Sequence, residues 1–403
     1  MCRVNTGNLP QITGFVLEYP TQMSAARPLP RRSTTARLQV DLAAVVANWR
    51  KLKTQLNPAC ICAAVVKADA YGLGAARVVN ALYGEGVDTF FVAFAEEAAR
   101  LRPMAPDAVF YVLSGLVPGA AAFYHEHALR PVLNSLEELL EWSSHCHAEG
   151  KRLPAALHID SGMKRLGMSA DEVFALDEHG EALEHIDLRL IMSHLACAET
   201  PDHPLNAQQL EKFTSLADRF DSVPRSLANS SGIFLGKNYQ MDMVRPGIAL
   251  YGGNPTPQHD NPMRDCLQLE AQVLQVNELN KGESAGYGAA QVAKRATRLA
   301  TINLGYADGY LRAASGATGR KKPAIVSIEG HKAPVFGRVS MDTVMIDVSD
   351  VPAHLVKRGS IVQVIGPQVP VDSTAHGAQT ISYEILTGLG ARYQRSYRYT
   401  HDV

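Results

Sequence analysis

Lys67 ends an apolar run in "AAVVKADAYGLGAA", residues 63–76. A charged lysine in that position loses hydration, which is costly unless the group has a use. A desolvated amine has a lowered pKa, attacks aldehydes and then serves as a base, so Lys67 is a candidate Schiff-base lysine. Gly72 and Gly74 would let the backbone turn closely beneath a ligand. Other reactive side chains also follow apolar runs. They are His158, Asp160 and Arg165 in "HIDSGMKRLG", His194 in "MSHLA", Asn229, Ser230, Ser231 and Gly232 in "ANSSG", and Arg245 and Gly247 in "RPGIALYG". One lysine, two arginines and two histidines suit an anionic small molecule. The "ANSSG" stretch reads as a helix N-cap or a phosphate seat, and the two are compatible. The H-x-D spacing of His158 and Asp160 puts both on one face of a strand, as in some metal sites. Three cationic side chains at neighbouring strand ends, Lys67, Arg165 and Arg245, would repel a metal ion from these and His194, and no metal site is expected in the chain.

Elements with a regular alternation would position these groups. Eight short apolar runs occur between residues 38 and 265, at 62–66, 89–94, 109–113, 130–133, 155–159, 188–194, 225–229 and 243–252. Amphipathic stretches such as "LNSLEELLEWSSHCHAE" and "NAQQLEKFTSLADRF" separate them, with apolar residues at helical spacing. Eight strand–helix alternations predict a (β/α)8 TIM-type barrel, and the count favours it over a doubly wound open sheet. In such a barrel, functional groups sit where strands end and the following loops begin. Beyond residue 265 the runs become β-branched and turn-separated, as in "LEAQVLQVNEL" and "GSIVQVIG", which predicts a mainly β C-terminal domain. The expected division is an N-terminal tail over 1–35, a barrel over 36–265 and a β domain over 266–403. The Pro-, Ser-, Thr- and Arg-rich tail is expected to be poorly ordered.

Composition narrows the partners. The chain has 403 residues, 46% of them hydrophobic and 20% charged, in the ordinary globular range. Its 39 basic and 40 acidic residues leave a net charge of −1, which favours neither nucleic acid nor an anionic membrane. No apolar run is long enough to cross a bilayer. Six scattered cysteines and an N-terminus without a signal-peptide pattern make a cytoplasmic protein with free thiols the expectation.

Together "AVVKADAYGLGA", "HIDSGMKRLG", "SHLA", "ANSSG", "RPGIALYG", "SAGYGA", "LGYADGY" and "GRVSMD" resemble the alanine racemase family, in family order, from about residue 36 to the C-terminus. The resemblance implies a fold-type III enzyme dependent on pyridoxal 5′-phosphate, with a barrel and a β domain. It also implies a homodimer in which one subunit's β domain completes the other's site. By that resemblance Lys67 would hold the cofactor. Tyr71, Asn229, Ser230, Gly247, Ile248 and Tyr383 would contact its phosphate side, Arg245 would face the pyridine nitrogen, and His194 would lie beside the ring. Tyr287 in "SAGYGA" would be the catalytic tyrosine supplied across the dimer. Arg165, Met341 and Asp342 would bind substrate, alanine.

Such a reaction removes an α-proton from one face of a planar carbanion and returns one to the other, which calls for two opposed bases, here Lys67 and Tyr287. Tyrosine is a poor base at its free pKa of about 10, so it needs neighbours such as Arg165 or His194. Arg245 keeps its proton, so it donates to the pyridine nitrogen without protonating it. That leaves a weaker electron sink and favours prompt return of the proton. One residue departs from the family pattern. Where many members carry a carbamate-modified lysine that supports the substrate arginine, this chain has His158, and a bound anion such as chloride or Asp160 would have to compensate. The resemblance implies D-alanine production for peptidoglycan. The weaker alternatives are a broad-specificity amino-acid racemase, a decarboxylase of similar architecture and a cofactor carrier.

Overall fold

The computed structural model describes residues 36–316 and 323–399. The N-terminal tail expected over 1–35 lies outside the described residues.

The first region is a ring of short parallel strands. Seven lie in one sheet in chain order: Ala64–Val65, Thr89–Val92, Val109–Val112, Arg130–Leu133, Leu153–His158, Ile186–Met192 and Arg225–Ser226. The eighth, Met243–Val244, pairs in parallel with Ile61–Cys62 at the start of the first strand. Backbone bonds close the circle. Ala63 N donates to Val244 O at 3.1 Å and Val65 N to Pro246 O at 2.9 Å. On the other side Asp242 N donates to Arg225 O at 3.1 Å and Arg245 N to Ala228 O at 2.9 Å. All eight apolar runs therefore become barrel strands. The two amphipathic stretches form the helices Leu136–Glu149 and Pro204–Ala217. Ser135 caps the former by accepting from Glu138 N at 3.2 Å. Leu139, Trp142, Ser143 and Cys146, at helical spacing, form its buried face.

The β-branched runs past residue 265 form a second, eight-stranded sheet. Its long strand Leu267–Leu279 pairs with Ile361–Ile365 along its first half and with Thr297–Ile302 along its second, changing partner between Gln272 and Val273. A strand that serves both edges closes six of the strands into a second ring and removes two open edges. One strand departs from expectation. Arg37–Asp41 falls in the stretch expected to belong to the barrel, yet it pairs antiparallel with Leu267–Glu270 and in parallel with Gln394–Arg398. Its alternation, with Leu38 and Val40 fully buried, specifies a strand but not a partner. The alternation of the first region thus starts at Leu42, one strand later. Cys60, Cys62, Cys146, Cys197 and Cys266 carry free thiols. No described helix is long and apolar enough to cross a membrane.

Candidate active site

Lys67 lies two residues past the first barrel strand and opens a helical turn of unusual hand. Ala68, Asp69, Ala70 and Tyr71 have φ values of 53°, 56°, 52° and 55°, a left-handed turn built from residues other than glycine. L-residues resist that conformation by about 1–2 kcal/mol each. The surroundings enforce it. Glu97 Oε1 accepts from Ala68 N at 2.7 Å, and Asp69 Oδ1 accepts from Ala75 N at 2.7 Å. Arg395 Nη1 donates to Gly72 O at 2.6 Å. Gly72 itself is pressed against the Ser382–Thr387 helix, where a Cβ would lie 2.3 Å from Leu386 O. Strain held in this way is common at functional sites.

The Lys67 amine is pushed below its ordinary range by burial and then by the Arg165 charge, against a smaller opposite pull from Glu97. It is thus closer to the neutral, nucleophilic form than an exposed lysine. Arg245 is 3% exposed. It donates through Nη1 to Ser226 Oγ and through Nη2 to Ser193 O and Leu227 O, so Nε and one Nη1 hydrogen are left over. Burial pushes it down to about 9, which still leaves it protonated at neutral pH. His194 is held well below its ordinary range by burial, then by Arg245 and Arg165, with smaller contributions from His158 and Lys67. It is therefore neutral. It can aid a tyrosine base by hydrogen bonding but brings no positive charge to it.

His158 is likewise neutral, pushed down to about 4 by burial and then by Arg245. Its Nδ1 lies 2.8 Å from Asn134 Oδ1, with Asn134 Nδ2 donating in turn to Val132 O at 2.9 Å. It therefore supplies no negative charge to Arg165. Asp160 does not lean towards Arg165 in place of the carbamate. Its Oδ1 accepts from Gly162 N and Lys164 N at 3.0 Å each, and its Oδ2 pairs with Lys164 Nζ at 3.1 Å. Burial opposes its ionisation, but these donors outweigh burial and hold the carboxyl below its usual range.

A second cluster adjoins the first. Ser230 Oγ accepts from Gly247 N at 2.9 Å and from Ala249 N at 3.3 Å, which leaves its own hydrogen to donate. Asn229 Oδ1 accepts from Gly232 N at 2.9 Å and caps that turn. The Tyr71 ring lies 4.7 Å from Tyr251 and 5.8 Å from Tyr383. Burial raises the Tyr71 and Tyr383 hydroxyls, so both stay protonated and able to donate. Gly247 must be glycine because a Cβ there would lie 2.2 Å from Tyr71 Oη. Ile248, 3% exposed, sits between the two amides that hold Ser230.

The remaining expected residues are placed differently. Tyr287, in the turn Tyr287–Ala289, is 69% exposed, and Met341 is 53% exposed. Asp342 Oδ1 pairs with Arg392 Nη1 at 2.7 Å. Tyr287 is not among the groups acting on Lys67. Five supporting residues were not foreseen: Glu97 and Arg395 around the Lys67 turn, Asn134 beside His158, and Ser193 and Ser226 around Arg245. Glu97 in "FAEEAARL" resembles an ordinary helix-start acid, and Asn134 lies just past a strand end, so neither stands out by type or spacing.

These residues fit pyridoxal phosphate. A low-pKa amine matches the aldehyde, a buried guanidinium with spare hydrogens matches the pyridine nitrogen, and three neutral hydroxyls beside a tight glycine match the phosphate. A parallel barrel with this lysine at the end of its first strand, followed by a β domain, defines a barrel-type pyridoxal phosphate enzyme. The comparisons agree. The family model for the alanine racemase N-terminal domain matches residues 40–255, and that for its C-terminal domain matches 266–397. An alanine racemase of Methylobacterium sp. (strain 4-46) is 49% identical over 362 residues, covering 90% of this chain and 97% of the relative. The alanine racemase of Bartonella henselae, solved with covalently bound pyridoxal phosphate, superposes with a TM-score of 0.85 at 39% identity, covering 91% of this chain and all of that one. A biosynthetic alanine racemase of Pseudomonas aeruginosa gives 0.83 at 36% identity, covering 91% of this chain and 100% of that one. Other relatives are named both as biosynthetic and as catabolic alanine racemases. The chain belongs to the alanine racemase family and is a pyridoxal phosphate-dependent isomerase.

Proposed function

We propose that the chain interconverts L- and D-alanine with two bases, Lys67 on one face of the substrate and Tyr287 from a second copy of the chain on the other. In this reading the enzyme is a cytoplasmic homodimer with shared sites and supplies D-alanine for peptidoglycan. Pyridoxal phosphate, when bound, supplies the electron sink that acidifies the α-C–H bond. The chain's own residues do the rest. Tyr71, Ser230, Tyr383 and the backbone at Gly247 and Ile248 anchor the phosphate side, with Asn229 capping their turn. Arg245 donates to the ring nitrogen and keeps its proton. Arg165 receives the substrate carboxylate, and Met341 and Asp342 complete the pocket. Lys67 Nζ takes or returns the proton on the D side, and Tyr287 Oη does so on the L side. His194, neutral, flanks the ring.

The observation that carries this reading is the pairing of a desolvated lysine, heading a strained turn, with buried Arg245, next to a hydroxyl cluster shaped around Gly247. The test is chiral chromatography of L-alanine and, separately, L-lysine after incubation with the holoenzyme. Alanine approaching equal D and L with lysine unchanged is the expected result. Conversion of both would move the assignment to a broad-specificity racemase, and conversion of neither would overturn it. Restored growth of a D-alanine auxotroph without added D-alanine tests the biosynthetic role.

A further inference from the structure

On the barrel wall the helices Ala121–Glu126 and Leu136–Glu149 pack side by side and lead into the strands Arg130–Leu133 and Leu153–His158. Their C-terminal ends, where these strands begin, therefore lie at the opposite end of the barrel from Lys67. Three side chains meet there. His145 and Glu149 stand four residues apart on the longer helix, a spacing that puts them on one face. His125 comes from the shorter helix. One ligand atom from each of the three lies within 4.8 Å of the other two.

The details suit a metal better than a hydrogen-bonded cluster. His125 Nδ1 lies 3.5 Å from Glu149 Oε2. Ligand atoms at the corners of a tetrahedron around zinc, with bonds of about 2.0–2.1 Å, stand about 3.3 Å apart. The His125 and His145 rings meet edge-on, with centroids 5.6 Å apart. His145 Nε2 is buried and has no hydrogen-bond partner. Buried ring nitrogens are normally satisfied, and a bond to a metal would satisfy this one. Trp142, tilted by 31° at 5.8 Å against His145, limits the freedom of that ring. The cluster is accessible, with 26% of the His125 side chain and 41% of the Glu149 side chain exposed. An exposed His–Glu ion pair alone stabilises little and leaves His145 unexplained.

We propose that His125, His145 and Glu149 form a divalent transition-metal site that clamps the two helices together. Two imidazoles and a carboxylate are a zinc-type donor set that leaves a fourth position for water. The sequence reading expected no metal in the chain, and this cluster departs from that expectation. The site is independent of the racemase chemistry.

The test is calorimetric titration of the chelator-treated holoenzyme with Zn2+, with a thermal melt of the same samples. The wild type is expected to bind one equivalent per subunit and to melt higher with Zn2+ present. His145→Ala and Glu149→Gln should each weaken binding by roughly 10- to 100-fold or more, since even outer-shell changes cost that much. Both should abolish the melting shift and leave alanine racemisation unchanged, which also shows that they fold. His147→Ala is the control, because His147 forms a separate pair with His185 at 4.6 Å. It should bind as the wild type does. Absence of a one-equivalent transition in the wild type would overturn the proposal. So would His145→Ala binding unchanged, or loss of binding in His147→Ala alone.

Discussion

The two proposed halves of the reaction site are built in opposite ways. At the barrel mouth the functional groups are held by their neighbours. Arg245 spends its donors on Ser193, Ser226 and Leu227, His158 is fixed by Asn134, and the Lys67 turn is forced left-handed by Glu97 and Arg395. On the β domain, Tyr287 and Met341 stand 69% and 53% exposed. A base works when it is desolvated and fixed in place. The barrel supplies both conditions for Lys67. Within one subunit the β domain supplies neither for Tyr287. The contrast suggests that the exposed face is finished by a second copy, and the predictions below are chosen to break or sharpen it.

The largest effect is expected at Lys67. Lys67→Ala should lower turnover by about 10⁴-fold or more, because the proposed mechanism uses this one group as both anchor and base. It should also remove the covalent cofactor chromophore, and a retained chromophore would place the anchor elsewhere. Tyr287→Phe should keep the chromophore but slow α-proton exchange of L-alanine by about 10²- to 10⁴-fold. Deuterium uptake followed by NMR reads this directly, and normal exchange would remove Tyr287 from the base role.

Gly247→Ala tests the tight packing of the buried half. The new Cβ would lie 2.2 Å from Tyr71 Oη. Overpacking of this kind costs about 1–3 kcal/mol, so cofactor affinity should fall about 5- to 150-fold in a fluorescence titration. An unchanged affinity would mean that this glycine does not shape the phosphate side.

The last effect is in acid. His158 falls from an ordinary 6.5 to about 4, through burial first and Arg245 second. Between those values the unfolded chain binds a proton that the native state refuses. This group's contribution is therefore intact above pH 6.5 and is lost as pH falls towards 4, by about 1.4 kcal/mol per pH unit at most. Denaturant unfolding between pH 4 and 7 should show that slope, and His158→Gln should flatten it. An equal slope in the variant would assign the effect to another group.

Much of this was legible in the chain because strand ends and chemistry coincide. Each of the eight apolar runs became a barrel strand, and Lys67, His194 and Arg245 could be placed by where those runs stop. Partner choice was less legible. Arg37–Asp41 reads as a strand, but nothing local says that it pairs with Leu267–Glu270, more than two hundred residues away. The left-handed turn at Ala68–Tyr71 runs against the preference of each of its residues, and its causes, Glu97 and Arg395, are distant in sequence. Asn134 beside His158 was hidden for the same reason, since its role depends on neighbouring strands in register.

Mixing two inactive variants tests the central claim most directly. Lys67→Ala and Tyr287→Phe chains, unfolded together and refolded with pyridoxal phosphate, would assort into mixed dimers. If each site takes Lys67 from one copy and Tyr287 from the other, one site of every mixed dimer is intact. Activity should then recover to about a quarter of the wild-type value, the fraction expected for random two-fold pairing. No recovery, with mixed dimers demonstrated by mass, would show that the two residues do not meet across an interface and would contradict the shared-site account.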